Sequence, residues 1–574
     1  MPEDRSRMDI VHGVPPVAIT STTTLANRTG SWKYIRPIYQ DKVAPCNAGC
    51  PVGIDIEAYM NLLREGHLDA ALDVLLRENP LPATTGRVCE HPCESVCNRK
   101  KFDEPVAIHA VERMLGDVAL EAAPPAPPEQ RRKEKVAVVG SGPAGLACAY
   151  HLARMGYAVR VYEADPEPGG MLRYAIPDYK LPKGILAREI ERIRALGVEI
   201  RCSARVGKDV KWDEVAAHDA VFLAIGAHQA LPLGLKDGGP GVLAGLEFLR
   251  QVNSAERPRL AKKTVVVVGA DNTALDCARA AVRLGAASAT LVCPVERGAV
   301  PAFHADVAEA EHEGVQLHFG TRPGAVHAPA GKPATLECSR EDGSKLTLNA
   351  DVLIAAAGEQ PDFAPLPPDV KRADGAVRAD DLGATSRTAV FAGGDLAGEP
   401  RTVAHALGAG KRAAVGIDRF LRQRAGEKVE ADLAQLRYGG TGNVSATRWR
   451  GDDPVRRSGE VNEIVAFEQM NMAHFQHAPR HADRRRPAAE RRSGFAEVNL
   501  GLPPPHAHAE ALRCFNCGVC NQCEVCLVFC PDVAITRRAE GAAKFSISYK
   551  YCKGCGVCSF ECPRGAMAMT REGL

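Results

Sequence analysis

Ten of the chain's 20 cysteines lie at or beyond residue 514, and the spacing of eight is that of iron–sulfur ligands. These eight form two runs that each read Cys-x2-Cys-x2-Cys-x3-Cys-Pro. The runs are Cys520, Cys523, Cys526 and Cys530, followed by Cys552, Cys555, Cys558 and Cys562. In bacterial ferredoxins three cysteines of such a run hold one [4Fe–4S] cluster, and the fourth reaches the other cluster. Two runs in tandem therefore predict two neighbouring clusters, which carry electrons but cannot transform an organic substrate alone.

Two other interpretations of these cysteines are weaker. Zinc sites use paired Cys-x2-Cys elements, but zinc needs neither a third cysteine at this spacing nor a fourth before proline. Disulfides fit poorly, because no secretory signal precedes these closely spaced cysteines. Cys514 and Cys517 add one more Cys-x2-Cys, so six cysteines compete for four positions in the first run. We favour the four from Cys520 to Cys530, because only they end in the x3-Cys-Pro step.

Length and composition bound the class of protein. A chain of 574 residues is too long for one core and predicts three or four domains. The net charge of +2 creates no field that favours nucleic acid or an anionic membrane. No stretch approaches the roughly 18 uninterrupted apolar residues of a membrane span, and the amino terminus lacks the apolar core of a signal peptide. Cysteine usage of the cluster type predicts a cytoplasmic protein.

The sequence pattern predicts a multidomain α/β chain. Five cysteines accompany short amphipathic helix patterns near the start, and the stretch EAAPPAPPEQRRKEK then predicts an extended linker. Apolar runs next alternate with helical segments, as in parallel sheets buried on both faces. A polar arm with the arginine cluster RHADRRRPAAERRSG follows, which we interpret as a solvated or partner-docking surface. The predicted segments are a helical iron–sulfur domain (1–125), a first dinucleotide-binding domain (133–255 plus 385–425), a second (262–384), an irregular linker arm (426–505) and a ferredoxin-like α+β domain (506–574).

The first dinucleotide-binding unit has a complete fingerprint. The strand VAVV runs into Gly140-x-Gly142-x-x-Gly145, and a helical pattern follows. Glycines at these positions permit a tight turn and let a pyrophosphate approach the helix N-terminus, whose dipole favours an anion. The next strand ends in Glu163, where an acid binds ribose hydroxyls. Strand, turn, helix, strand and acid together predict a bound dinucleotide.

The second unit has an imperfect fingerprint. Its strand TVVVVG leads to Gly269 and Ala274, which fit the pattern, but Asp271 stands where the middle glycine belongs. A carboxylate there would crowd and repel a pyrophosphate. We predict a nucleotide site, and a unit that has lost its nucleotide remains the alternative.

Residues from about 41 to 425 resemble the small (β) subunit of glutamate synthase and the matching half of dihydropyrimidine dehydrogenase, a family of NAD(P)H-dependent iron–sulfur flavoprotein oxidoreductases. The motifs that carry the resemblance are APCNAGCPVGIDIEAYM, GRVCEHPCESVCN, EPVAIHAVERM, VAVVGSGPAGLACAYHLARMGYAVRVYEADPEPGGMLRYAIPDYKLP, VVGADNTALDCARAAVRLGA, AAAGEQPDF and VFAGGDLAGEPRTVAHALGAGKRAA. The resemblance implies two nested Rossmann-like domains of the pyridine nucleotide-disulfide oxidoreductase type, with FAD on the first and NAD(P)H on the second. The fused cysteine-rich tail resembles a ferredoxin module.

The resemblance also implies roles for particular residues. Those expected around FAD are Gly140, Gly142, Pro143, Ala144, Gly145, Glu163, Gly170, Met171, Leu172, Lys180, Val206, Gly394, Asp395, Thr402 and Val403. Those expected around NAD(P)H are Gly269, Asn272, Thr273, Ala274, Glu296 and Arg297. The family's arginine pair, which clamps the 2′-phosphate of NADPH, is replaced here by Pro294 and Val295. No bidentate cation then faces a 2′-phosphate, so we favour NADH over NADPH, although Arg297 lies close enough in sequence to bind phosphate.

The amino-terminal cysteines match the family's iron–sulfur region. Cys50, Cys89 and Cys93 are expected to form one [4Fe–4S] cluster, with Glu112 in the place where some relatives have a non-cysteine ligand. Cys46 and Cys97 match a second cluster that the family completes with an upstream Cys-x2-Cys, and this chain has no cysteine before Cys46. Cys46 and Cys97 could instead complete a single all-cysteine site, and buried packing cysteines are a further alternative. We predict one cluster here and keep two as the alternative.

The function that these features predict is electron transfer between NAD(P)H, FAD and [4Fe–4S] clusters, to or from a ferredoxin or a partner redox enzyme. That partner would be a 2-oxoacid:ferredoxin oxidoreductase or a terminal reductase, docked near the linker arm and the ferredoxin domain of a hetero-oligomer. The cofactors carry the chemistry, so no catalytic side chain is predicted. Two alternatives are a relay subunit with a dead nicotinamide site and a glutamate synthase small subunit.

Overall fold

The computed structural model describes residues 34–128, 132–232, 242–327, 333–429, 432–453, 462–538 and 545–572. The irregular segment predicted before residue 34 lies outside the described residues. The described chain begins with one strand and six helices: β1 (Ile35–Tyr39), α1 (Pro45–Ala48), α2 (Ile56–Arg64), α3 (Leu68–Glu78), α4 (Pro82–Val88), α5 (Pro92–Ser95) and α6 (Ile108–Glu121). Proline begins α1, α4 and α5, where its missing N–H has no helical partner to lose.

The next segment alternates strands and helices, as its apolar runs predict. The first unit begins with β2 (Lys135–Val139), α7 (Pro143–Arg154), β3 (Ala158–Tyr162), α8 (Met171–Tyr174), α9 (Lys183–Ala195), β4 (Glu199–Arg201), α10 (Trp212–Ala216) and β5 (Ala220–Leu223). The second unit follows with β6 (Gln229–Ala230), β7 (Val242–Ala244), α11 (Gly245–Val252), β8 (Thr264–Gly269), α12 (Asn272–Arg283), β9 (Ser288–Val292), α13 (His304–His312), β10 (Gln316–His318), β11 (Thr321–His327), β12 (Ala334–Arg340), β13 (Lys345–Ala350) and β14 (Val352–Ala356). The chain then returns to the first unit through β15 (Glu359–Gln360), β16 (Arg372–Ala373), β17 (Ala376–Val377), β18 (Val390–Ala392) and α14 (Val403–Arg424).

Each unit is built on a five-stranded parallel sheet. The first sheet has the order β18-β5-β2-β3-β4, and the second has the order β10-β9-β8-β14-β7. Because β18 follows the whole second unit in sequence, the second unit is an insertion in the first. β7 and α11 lie in the second unit, with β7 paired to β14, although the boundary predicted at residue 255 assigned them to the first. In both sheets the strand before the fingerprint is the central one. Each fingerprint therefore lies at the carboxyl end of the central strand.

The remaining elements form the arm and the tail. They are α15 (Leu433–Leu436), α16 (Ala446–Arg450), β19 (Arg484–Arg485), α17 (Ala488–Arg492), β20 (Asn499–Gly501), α18 (Pro504–Arg513), α19 (Val525–Val528), β21 (Ile535–Arg537), β22 (Phe545–Ile547), α20 (Val557–Phe560) and β23 (Met567–Arg571). β1 pairs antiparallel with β23, with Tyr39 opposite Met567. The tail's fold therefore includes a strand from the start of the described chain, which the sequence pattern did not predict.

The arm packs against the body through a buried carboxylate. Glu78 on α3 accepts hydrogen bonds from the Lys411 Nζ on α14 (2.6 Å), the Ser445 Oγ (2.6 Å) and the backbone N–H groups of Ala446 and Thr447 (3.0 Å each). Burial alone would raise the pKa of Glu78, but Lys411 and Ser445 lower it to about 2. This region of the arm is therefore fixed to both the helical domain and the first unit. Within the described residues, no helix is long and apolar enough to cross a membrane.

Candidate functional site

A cavity of about 1060 Å³ opens where the two dinucleotide-binding units meet the helical domain. Every residue expected around FAD lines it except Gly145, and Asn272 and Thr273 of the second unit line it as well. The volume lies slightly above the usual range of small-molecule pockets, about 300–1,000 Å³. The cavity therefore has room for a large cofactor with a second ligand beside it.

The first fingerprint leaves an open helix N-terminus on this cavity. α7 begins after Gly142, no side chain caps it, and a Cβ built on Gly142 would meet no atom within 4 Å. A Cβ on Gly145 would overlap the carbonyl oxygen of Gly140, so only glycine lets the helix come this close to the strand. The free N–H groups of the first turn face space that a phosphate could fill. The residues present therefore fit the pyrophosphate of FAD.

Two carboxylates of the first unit line the same cavity. Glu163 accepts hydrogen bonds from the backbone N–H of Ser141 (2.9 Å) and of Asp165 (2.8 Å), and also from the Ser141 hydroxyl. These bonds fix its orientation at the end of β3, where the sequence predicted an acid. Asp395 follows β18, and burial raises the pKa of its carboxyl. Glu163 is therefore an oriented hydrogen-bond acceptor for a ribose, and Asp395 is a desolvated carboxyl group.

The second fingerprint is closed by its own side chain. Asp271 is the N-cap of α12, and its Oδ1 accepts the backbone N–H of Ala274 at 3.0 Å. The anion position at this helix N-terminus is thus occupied by a carboxylate of the protein. Asp271, Gly269 and Ala274 are not among the residues that line the cavity, whereas Asn272 and Thr273 are.

A second carboxyl lies near the same helix end. Glu359 lines the cavity, and its pKa is raised to about 7, first by burial and then by the neighbouring charge of Asp271. Thr273 donates a hydrogen bond that opposes this shift, and Arg401 lies 3.8 Å from the carboxylate. Asp271 and Glu359 therefore place two carboxyl groups near the N-terminus of α12, whereas the N-cap of α7 is Gly142.

Two residues expected around NAD(P)H lie elsewhere. Glu296 and Arg297 are exposed and outside the cavity, and Arg297 forms two hydrogen bonds of 2.6 Å with Glu311. Lys180, expected beside the flavin, does line the cavity, but its Nζ lies 2.7 Å from both Asp276 on α12 and Asp306 on α13. Lys180 therefore connects the loop after α8 to the second unit.

The structure brings together four amino-terminal residues that the family resemblance grouped. Cys50, Cys89 and Cys93 lie within electrostatic reach of one another and of Glu112 on α6. Glu112 accepts hydrogen bonds from Asn79 (2.9 Å) and Thr85 (2.5 Å). We name this group the Cys50 site. Its member Cys89 also lines the large cavity, so the site directly adjoins the space next to the first fingerprint.

The tail cysteines form two groups, each completed by the last cysteine of the other run. The Cys520 site consists of Cys520, Cys523, Cys526 and Cys562. The Cys552 site consists of Cys552, Cys555, Cys558 and Cys530. This exchange is the two-cluster ferredoxin arrangement. The Tyr39 hydroxyl on β1 contacts the Cys526 sulfur at 3.3 Å, so the amino-terminal strand also supports the Cys520 site.

Cys514 and Cys517 lie within electrostatic reach of Cys97, a cysteine of the helical domain. They line a small cavity together with Cys46 and Cys97. The sequence suggested that these two cysteines compete with Cys520 to Cys530 for the ligand positions of the first run. In the folded chain they line a different cavity, so this competition does not arise. Among the described residues, no three His, Cys, Asp or Glu side chains are arranged to hold a single metal ion. That observation does not count against clusters, because four irons with one cysteine each need the sulfurs farther apart than one ion does.

Sequence reasoning missed the arm's part in the large cavity. Arg480, Asp483 and Arg485 line it, and Asp483 accepts from the His109 ring at 2.8 Å. Arg480 pairs with Glu94 at 2.7 Å, and Arg485 pairs with Glu309. The interpretation of the arginine cluster as a solvated or docking surface is therefore wrong for Arg480, whereas Arg485 is exposed and pairs with Glu309 at the rim of the cavity. In the sequence these arginines are recognisable only by their charge. Charge alone does not distinguish an arginine in an internal ion pair from one that is solvated.

Comparison with known proteins agrees with this architecture. Residues 134–410 match the family profile "Pyridine nucleotide-disulphide oxidoreductase", and residues 38–123 match "Dihydropyrimidine dehydrogenase domain II, 4Fe-4S cluster". The NADP(+)-dependent formate dehydrogenase subunit beta of Moorella thermoacetica is 36% identical over 83% of this chain and 70% of its own length. The NADPH-Fe(3+) oxidoreductase subunit beta of Geobacter sulfurreducens is 35% identical over 83% and 75%. A homolog of the NAD-dependent dihydropyrimidine dehydrogenase subunit PreT from Salmonella typhi is 30% identical over 66% and 92%.

The fold and these matches define a class, the multidomain oxidoreductases of the pyridine nucleotide-disulphide type with an iron–sulfur domain. The chain belongs to the NAD(P)H-dependent iron–sulfur flavoprotein oxidoreductases, as its motifs predicted. Its cofactors are accordingly FAD, NAD(P)H and [4Fe–4S] clusters, and it transfers electrons between them.

Proposed function

We propose that FAD occupies the first unit's part of the large cavity, that NAD(P)H reaches it from the second unit, and that electrons leave through the Cys50 site. The observation that carries this proposal is that Gly142, Thr273 and Cys89 all line one cavity. A dinucleotide site, the neighbouring unit and a cluster ligand therefore adjoin the same space.

The chain's own residues would bind and orient the cofactors. The open N-terminus of α7 would face the pyrophosphate, and Glu163 would accept from ribose hydroxyls. The bond between Lys180 and Asp276 would hold the two units in register across the cavity. When bound, FAD accepts two electrons as hydride from NAD(P)H and releases them singly to clusters that take one each.

Further clusters would occupy the Cys520 and Cys552 sites. The sulfur groups there have the mutual arrangement of a two-cluster ferredoxin, which supports electron exit at the tail. None of the 20 cysteines, all of which lie in the described residues, forms a disulfide, which favours the reducing cytoplasm as the place of work.

The choice of nucleotide is proposed from two opposing observations. Pro294 and Val295 replace the arginine pair, and Arg297 is paired with Glu311 outside the cavity, both of which favour NADH. The names of the relatives from Moorella and Geobacter refer to NADP(+) and NADPH, and that of the Salmonella relative refers to NAD. Our prediction remains NADH over NADPH, and the ratio of kcat/KM for the two nucleotides tests it.

A second candidate function is an electron relay that takes no hydride of its own. The specific observation in its favour is that Asp271 caps α12 and Glu359 lies beside it, so two carboxyl groups oppose a pyrophosphate there. Flavin absorbance after anaerobic mixing with NADH or NADPH in a stopped-flow spectrometer separates the candidates. Bleaching at millimolar nucleotide supports the first function, and its absence with both nucleotides supports the relay.

The partner is proposed to dock at the ferredoxin tail. Cys523 and Cys555 are exposed there, and Val528, Phe529, Val533 and Phe560, each within three residues of a site cysteine, are exposed as well. Exposed apolar side chains beside cluster ligands suit a redox protein that must approach closely. Two relatives are named as beta subunits, which supports a hetero-oligomer.

Phe560→Ser tests this docking surface. It should slow electron transfer to the protein partner several-fold and leave the reduction of a small-molecule one-electron acceptor unchanged. Leu68→Ser, at an exposed apolar position on α3, is the matched control. Equal slowing with both acceptors would mean that the cluster and not the docking is damaged.

A further inference from the structure

Four cysteines from opposite ends of the chain meet in one small buried cavity. Cys46 lies on α1 and Cys97 follows α5, whereas Cys514 directly follows α18 and Cys517 comes three residues later. All four line the same cavity, and Cys46 lies within electrostatic reach of Cys97, Cys514 and Cys517. Cysteines more than 400 residues apart in sequence are therefore brought together by the fold.

Packing fixes the tail segment in this position. α18 packs against α2 and α6 of the helical domain. Arg513 at its end pairs with Glu510 (2.8 Å) and Asp103 (3.3 Å), and the Asn516 amide donates to Glu57 on α2 at 3.3 Å. The approach of Cys514 and Cys517 to the amino-terminal cysteines thus rests on a buried interface with its own polar contacts.

The surroundings of the four sulfurs suit an anionic iron–sulfur cluster. Ile56, Met60 and Ile108 line the cavity with apolar side chains, and Glu57, which accepts from the Asn516 amide, lines it as well. The Cys514 sulfur accepts the backbone N–H of Asn516 at 3.4 Å, and Arg99 lines the cavity. Hydrogen bonds to sulfur and nearby cations stabilise thiolates and tune cluster potentials.

Other assignments of these cysteines fit less well. A single zinc ion would need the sulfurs closer together than they are in the described residues. The tail sites do not need Cys514 or Cys517, because each already has four cysteines. The helical domain, by contrast, has two cysteines left over after the Cys50 site, and the tail supplies the missing pair.

We propose that Cys46, Cys97, Cys514 and Cys517 hold a further [4Fe–4S] cluster that joins the tail to the helical domain and relays electrons between them. This inference rests on the proposed function. It brings the total to four clusters per chain, whereas the sequence predicted one in the helical domain with two as the alternative.

The position of this site suits a relay. The buried Tyr59 lies within electrostatic reach of Cys46 and also of Cys50 and Cys93. Arg564 lies similarly near Cys514 and Cys517 and near Cys523 of the Cys520 site, and its guanidinium donates to the carbonyl oxygen of Phe515. The site is therefore intermediate between the Cys50 and Cys520 sites. Each electron would reduce this cluster and then leave it oxidised again, and no bond would form or break.

The first test counts iron in the unmodified full-length protein. Four clusters give about 16 iron atoms per chain and three give about 12, with acid-labile sulfide in equal amount. Anaerobically purified protein with full FAD occupancy should contain about 16, measured together with the number of cubane clusters by Mössbauer spectroscopy. A fully loaded protein with about 12 iron atoms would overturn the proposal, whatever the variants do.

The second test compares two double variants. Cys514→Ser/Cys517→Ser and Cys46→Ser/Cys97→Ser should each lose about a quarter of the iron and the same low-temperature EPR signal. Cys202→Ser, at a half-buried cysteine outside every site, is the control and should lose neither. If only the tail pair changed the signal, those cysteines would belong to the ferredoxin module, and the proposal would be wrong. Zinc in place of the missing iron would also refute it.

Flavin reduction separates this proposal from the proposed function. In the Cys514→Ser/Cys517→Ser variant, NAD(P)H should still bleach FAD at the wild-type rate, while reduction of the tail clusters should slow at least tenfold. Unchanged tail reduction would refute the relay. A failure of wild-type protein to bleach with either nucleotide would refute the proposed function and leave the iron count to decide the cluster.

Discussion

The two dinucleotide-binding units each have a five-stranded parallel sheet with the fingerprint strand at its centre, but the turn after that strand differs. The N-cap of α7 is Gly142, and no side chain caps this helix. The N-cap of α12 is Asp271, whose carboxylate accepts the backbone N–H of Ala274 at 3.0 Å. An anion at a helix N-terminus gains about 0.3–1 kcal/mol, and up to about 2 when partly buried. In the second unit a side chain of the protein takes that place. The comparison teaches that a common fold supplies the helix end, while a single residue decides whether a ligand can use it.

The largest effect is expected from giving the first unit the turn of the second. Gly142→Asp should cap α7 and place a carboxylate where the FAD pyrophosphate would lie, which should weaken FAD binding at least about tenfold, or about 1.4 kcal/mol. Flavin per chain after desalting measures the loss. Gly184→Ala is the control, because a Cβ there meets no atom within 4 Å. Full FAD occupancy in Gly142→Asp would mean that the pyrophosphate lies elsewhere.

Giving the second unit the glycine of the first should strengthen its binding of NAD(P)H. Asp271→Gly should open α12 and tighten the binding of NAD(P)H about tenfold, since it removes both the competing cap and a like charge. Asp271→Asn keeps a capping side chain without its charge and should give an intermediate affinity. Anaerobic titration with NADH and NADPH gives the dissociation constants. Identical constants in all three proteins would show that the nucleotide does not use this helix end.

The affinity for the nicotinamide nucleotide should also depend on pH. The pKa of Glu359 is about 7, raised by burial and then by Asp271, so its carboxyl is neutral below that pH and charged above it. A neutral carboxyl repels phosphate less, so NAD⁺ should bind several-fold more tightly at pH 6 than at pH 8. Glu359→Gln should flatten this dependence, and calorimetric titration at three pH values measures it. A slope that survives in Glu359→Gln would assign the dependence to another group.

The smallest effect is expected at the residues that the sequence offered as nucleotide contacts. Glu296→Ala and Arg297→Ala should change the ratio of kcat/KM for NADH and NADPH less than about twofold, because both residues are exposed and lie outside the cavity. The Arg297 pair with Glu311 is a surface pair of the kind that contributes about 0–1 kcal/mol. A shift of tenfold or more toward NADH in Arg297→Ala would mean that Arg297 moves to bind the 2′-phosphate.

Local sequence patterns were enough for much of the architecture. The strand–turn–helix fingerprint at Gly140 and the alternating apolar runs predicted both parallel sheets, because period and turn chemistry are properties of short segments. The two ferredoxin runs likewise show their pattern within about 40 residues. Asp271 was recognised as a misfit from its position alone, although its role as a cap became visible only in the structure.

Tertiary packing decided what short segments cannot encode. Cys514 and Cys517 look like spare ligands of the nearest run, and only the docking of α18 on α2 and α6 brings them to Cys46 and Cys97. The pairing of β1 with β23 and the ion pair of Arg480 with Glu94 also join distant parts of the chain. Residue types and spacing determine which chemistry a segment can support, because ligand identity and backbone period are local. The partners that complete each site depend on which surfaces bury each other, and that is a property of the whole fold.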